Sequence, residues 1–127
     1  MGGIGLITAP TASAAGYGCG GSLVGQYNIK GSDNSTWGTI NVYYSSASGG
    51  TNCIVNVAKK YAGTPHGLEV HLFQGSRRAD DKGRYSQYAG PVSLSETNGD
   101  CITVSGEVSN PSGSTVAIGK WSNVHCG

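Results

Sequence analysis

Between Trp37 and Ala58 the chain twice alternates with a period of two residues and reverses once in between, a pattern that few folds accommodate. Gly38, Ile40, Val42 and Tyr44 share one face of an extended segment, and Trp37, Thr39, Asn41 and Tyr43 share the other. The SSASGG that follows is small and ends in paired glycines, which tolerate a tight reversal. On the return, Cys53, Val55 and Val57 oppose Ile54 and Asn56, and the β-branched residues suit a pleated surface. This is a β-hairpin. Alone in water a hairpin is marginal, so further strands must cover its apolar face.

Those strands can be read along the chain. Residues 22–30, SLVGQYNIK, form the first and 31–35 a turn. A loop broken by Gly63, Pro65 and Gly67 leads to a strand over 68–74, where Leu68, Val70 and Leu72 alternate with Glu69, His71 and Phe73 and the ionisable pair takes the wetter face. Residues 75–83, GSRRADDKG, form the one dense cluster of charge and read as a solvated hairpin tip. In RYSQYAGPVSL, Gly90-Pro91 interrupts the ladder, which suits an edge strand or a bulge. Asn98-Gly99 is a turn, and 101–108 with 115–125 close the chain as a hairpin around Asn110-Pro111-Ser112-Gly113. No helical period of useful length occurs. The expected fold is all-β: an antiparallel β-sandwich or flattened barrel of seven to eight short strands.

Composition narrows the class of partner. Only 12% of the 127 residues are charged, the formal net charge is +1, and glycine is the commonest polar-surface filler at 22 residues. Such a surface has no field to hold a polyanion, which argues against nucleic acid. No stretch approaches the roughly 20 apolar residues of a membrane span. The opening MGGIGLITAPTASAA is weakly apolar and ends in Ala12-Ser13-Ala14, so residues 1–14 read as the remnant of an export signal cleaved before Ala15. Residues 15–21 would then be an N-terminal arm and 22–127 a single domain.

Four cysteines in a small exported chain suggest two disulfides. If the first strand folds back on the hairpin, Cys19 comes beside Cys53. If the last two strands pair, Cys101 and Cys126 share their open end. No pair has the close spacing of a structural zinc site.

Residues with catalytic potential are scattered. His66, His71 and His125 have no mutual spacing that would aim two at one metal, no serine lies in G-x-S-x-G, and the adjacent Asp80 and Asp81 must face opposite ways on a strand. The expectation is a protein with no catalytic, cofactor or metal site. Trp37, Tyr43, Tyr85, Tyr88 and Trp121 could form a recognition surface but are read first as core filling. The partner-binding candidates are Ala15, Gly16, Tyr17 and Gly18 in the arm, with Tyr17 as anchor, and Arg77, Arg78 and Arg84 in the charged stretch.

Tyr88-Ala89-Gly90-Pro91-Val92, the Asn52-Cys53 strand start with GTINVYYSSASGG before it, and the terminal Val124-His125-Cys126-Gly127 resemble the small secreted actinobacterial proteins of the spore-associated protein A type. The likeness runs from about Cys19 to Gly127 and departs after Cys101, where Thr103-Val104-Ser105-Gly106 stand in place of a Trp-Gly-Gly pattern. That resemblance implies no enzymatic site. The two-disulfide β type is also similar to adaptor subunits of secreted umbrella toxins, in which an N-terminal segment enters a lectin-like subunit and the body grips a stalk-forming polypeptide. The implied role is a secreted adaptor, monomeric alone, that joins larger exported proteins. Two other roles are kept beside it: a structural protein of the spore or cell surface, and a hydrolase inhibitor presenting Arg77 or Arg78 on a loop.

Overall fold

The computed structural model describes residues 16–127. Ala15 and the export signal read at 1–14 lie outside them. The strands are β1 (Ser22–Lys30), β2 (Thr36–Ser45), β3 (Thr51–Ala58), β4 (His66–Gln74), β5 (Arg77–Tyr85), β6 (Tyr88–Leu94), β7 (Ile102–Ser109) and β8 (Val116–Val124), with one 3-10 turn at Ala47–Gly49. They build two four-stranded antiparallel sheets, β1-β2-β3-β6 and β5-β4-β7-β8. Of the two expected forms the chain adopts the sandwich. Cys19–Cys53 and Cys101–Cys126 are both formed, as the strand pairing requires. They join residues 34 and 25 positions apart, and in the chain-entropy account each stabilises the fold by about 3 to 4 kcal/mol.

The inner faces meet in one core. Ile29, Ile40, Val42 and Ile54 come from the first sheet, and Leu68, Val70, Leu72, Ile102, Val104 and Val108 from the second, all closed to solvent. Each such side chain contributes roughly 1.5 to 3 kcal/mol on burial. One polar residue crosses this core. Asn56 on β3 donates from Nδ2 to the carbonyls of Glu69 (3.0 Å) and Glu107 (3.3 Å), on β4 and β7 of the opposite sheet. Two glycines make room for it: a Cβ on Gly38 would stand 2.6 Å from Asn56 Oδ1, and one on Gly106 3.1 Å from Nδ2.

The central hairpin is buried on both faces, not on one. Tyr43, Cys53, Val55 and Val57 point outward and form a second cluster with Cys19, against which Tyr17 and Tyr88 pack. Tyr17 meets Tyr88 edge to face at 5.2 Å, and the Cys19 N–H bonds to Gly16 O at 3.0 Å. Gly16, Tyr17 and Gly18 are thus a turn seated on the body and do not form the free arm expected of residues 15–21. The chain needs them there because β2 and β3 carry too much apolar surface for one core to cover.

The charged stretch is also corrected. Only Gly75 and Ser76 turn; residues from Arg77 onward are β5, paired along its whole length with β4. Asp80 and Asp81 face opposite ways, as adjacent strand residues must. Asp81 closes the seam between the sheets: its Oδ2 accepts from the Gly90 N–H at 2.8 Å and its Oδ1 from the Tyr85 hydroxyl at 2.7 Å. That bond to Asp81 is the main cause that raises the Tyr85 hydroxyl above its usual range. β6 is an edge strand with a cis Gly90-Pro91 bond and a register shift opposite Ile54 and Asn56. The interruption was expected to suit an edge strand or a bulge, and β6 has both the edge position and the shift. His66, expected on a surface loop, instead opens β4 fully buried, with Nδ1 2.6 Å from Thr64 O and its ring against Tyr61.

Candidate functional site: the open face of the β5-β4-β7-β8 sheet

Alternation along β4 turns Leu68, Val70 and Leu72 inward, which leaves Glu69, His71 and Phe73 outward. Register then sets their neighbours: Lys82, Asp80 and Arg78 on β5, and Glu107, Ser105 and Thr103 on β7. The Arg78 guanidinium lies over the Phe73 ring, 5.3 Å from its centroid, and the His71 ring stacks beside Phe73 at 6.3 Å. His71 stands between two carboxylates, with Nε2 3.1 Å from Glu69 Oε1 and Nδ1 3.3 Å from Asp80 Oδ2. Arg78 Nε donates to Asp80 Oδ2 at 3.0 Å, and Lys82 approaches Glu69 Oε2 at 3.8 Å. The hydrogen bond from Arg78, then that from His71, holds the Asp80 carboxyl below its ordinary range. Exposed ion pairs of this kind add little to stability. Their effect is to hold an aromatic and a cation in one arrangement at the surface.

The three arginines named from sequence separate here. Arg77 Nη1 donates to Ser95 O at 2.8 Å and also to Gln74 Oε1, so it braces the turn after β4 against the loop that follows β6. Arg84 donates from Nη1 to Pro111 O (3.1 Å) and from Nη2 to Pro65 O (3.0 Å), tying two loops together. Only Arg78 belongs to the open face. An inhibitor would need these side chains on a protruding loop, and the strand does not provide one. The five candidate aromatics do not form a surface either. Trp37 and Tyr43 are buried, and Tyr85, Tyr88 and Trp121 pack against the two clusters.

Phe73 and Glu69 were not singled out from sequence as site residues. The alternation over 68–74 did place them with His71 on the wetter face. What was missing was the neighbour, since Arg78 and Asp80 reach them only because 77–85 is a strand.

A cleft of about 230 Å³ opens at the disulfide end, lined by Val24, Tyr44, Asn52, Thr97, Asn98 and His125 among others. Asn52 Nδ2 donates to Thr97 Oγ1 (2.8 Å), which donates on to Gly50 O (3.0 Å), and this fixes which amide atom is the oxygen. His125 Nε2 lies 2.8 Å from the Tyr27 hydroxyl. Burial pushes the His125 imidazole down and the Tyr27 phenol up, so the cleft holds no charge from either near neutrality.

No family model and no solved structure matches the chain. Among curated proteins, spore-associated protein A of Streptomyces coelicolor is 35% identical over 112 residues, covering 83% of this chain and 71% of that protein. The aligned share takes in most of the sandwich. The chain belongs to the spore-associated protein A family.

Proposed function

We propose that the protein is a non-enzymatic binding protein of the spore or cell exterior, an adaptor that holds larger exported proteins against the outer face of its β5-β4-β7-β8 sheet. One observation carries the reading. The two outer faces of the sandwich are treated differently: the chain covers its first sheet with Tyr17, Tyr88 and the Cys19–Cys53 disulfide, and leaves the second open with Phe73, Arg78 and His71 fixed in place. A surface that needs no cover for stability yet holds an aromatic beneath a guanidinium has the composition of a docking patch. The relative's name supports an exterior location, and two disulfides agree with an oxidising compartment. Insertion of an arm, in the manner of umbrella-toxin adaptors, has less support, because Gly16, Tyr17 and Gly18 are used in the body's own packing.

The test is capture of partners by the C-terminally tagged protein from culture supernatant and spore washes of its own organism. Wild type should bring down one or more larger exported proteins in fixed ratio. The double variant Phe73→Ala, Arg78→Ala should keep its thermal transition and lose them. Capture unchanged by that variant contradicts the reading.

A further inference from the structure

A sandwich of two open sheets has four edges, each a row of backbone groups that invites another strand unless something blunts it. Three of these are blunted. β1 carries register shifts at Leu23/Gly25 and at Ile29/Lys30. β6 carries Pro91 and its own shift, and is bonded across to Asp81. β5 carries Arg78, Asp80, Lys82 and Arg84.

β8 differs. From Val116 to Trp121 it pairs residue for residue with Ser109 back to Val104, and the register shift falls only after Trp121. Ala117 turns inward and is buried, whereas Val116 and Ile118 turn outward at 47% and 65% exposure, the latter the most exposed large hydrophobic residue among the described residues. Lys120 follows on the same outward row, and among the described residues it makes no ion pair or side-chain hydrogen bond. The edge therefore presents two uncovered aliphatic side chains, then one unpaired cation, beside a continuous row of backbone donors and acceptors.

We infer that β8 is the site of strand addition: an extended partner segment pairs antiparallel with Val116–Trp121, its aliphatic side chains beside Val116 and Ile118 and an acid beside Lys120. Main-chain bonds supply the affinity in this mode and the alternate side chains supply the choice of partner. The antiparallel sense follows the rest of the sheet, in which the added strand becomes the fifth. Its outward side chains then continue the open face already described, so the inference rests on that reading and names how a partner engages its far edge.

The probe is a capped peptide, TETITVT, titrated into the isotope-labelled, disulfide-intact protein and followed by amide chemical shifts. Saturable shifts confined to β8 and β7 are expected. A lysine in place of the peptide's glutamate should weaken binding about three- to tenfold, and Lys120→Glu in the protein should reverse that preference. Lys120 has no partner to lose, so this variant folds as wild type. A peptide with proline at its central position should not bind, since it removes a ladder donor. Absence of shifts at millimolar peptide, shifts elsewhere, or indifference to the charge swap overturns the inference. So does concentration dependence of the β8 shifts in the protein alone, which would make a second copy the occupant. None of these peptides reaches Phe73, so their failure leaves the docking-face reading to its own test.

Discussion

Burial holds the His125 imidazole below its ordinary value of 6.5, and this gives acid a hold on stability near neutrality. Unfolded, the ring takes up a proton near 6.5; folded, it does so only at lower pH. Between those values the unfolded chain binds more protons, so stability is whole above 6.5 and is lost as pH falls through the folded value. Asp80 also titrates lower in the fold, but its window opens only below 3.8. The urea midpoint of the wild type should drop between pH 7 and pH 5. His125→Asn should flatten that drop, because asparagine tolerates the φ of 53° at this position and offers an amide to Tyr27 without titrating. Equal drops in the two proteins would place the titration elsewhere. Arginines give a second contrast at this scale. Arg84→Ala removes two bonds that join separate loops and should cost about 1 kcal/mol, whereas Arg78→Ala breaks only exposed contacts and should stay within about 0.5 kcal/mol. Chemical denaturation of both variants checks the ranking.

Strands, taken as elements, are joined through Asn56. Asn56→Ala leaves the Glu69 and Glu107 carbonyls without that donor and should destabilise the fold by about 1 to 3 kcal/mol. Gly38→Ala should cost a similar 1 to 3 kcal/mol by overpacking, since its Cβ meets both Asn56 Oδ1 and Val108 Cγ2 within 2.8 Å. The double variant should cost less than the sum, because removing the amide relieves part of the clash; additive losses would show that the two residues do not share the space. Such couplings also mark what sequence could show. β2, β4 and β7 were legible because inward and outward residues differ in polarity, and β3 and β8 because β-branched runs sit between clear turns. β5 was not. Its inward residues Ala79, Asp81 and Gly83 lie along the seam with β6, where a carboxylate serves better than a methyl group, so both faces of the strand are polar and alternation disappears. His66 was misplaced for a related reason. Pro65 and Gly67 mark a turn, and nothing in the local sequence shows that the ring of Tyr61 lies against the residue between them, which is buried.

At the scale of the whole molecule, the sandwich has one sealed side and one open side. The sealed side is made by Gly16, Tyr17 and Gly18, residues that looked free because nothing near them in sequence shows that Tyr88 waits on β6. The open side collects residues from Glu69 on β4 to Lys120 on β8 that only sheet pairing brings together. Its lysines make the central claim measurable. Lys82 and Lys120 stand on the open face, while Lys30, Lys59 and Lys60 lie at the end of β1 and in the loop after β3. The most direct measurement is lysine-reactive cross-linking of the captured complex, with the linked peptides identified by mass spectrometry. Links to the partner through Lys82 and Lys120, with Lys30, Lys59 and Lys60 unlinked, are the predicted result. Links through Lys30, Lys59 and Lys60 alone would place the partner at the far end of the sandwich and contradict the account.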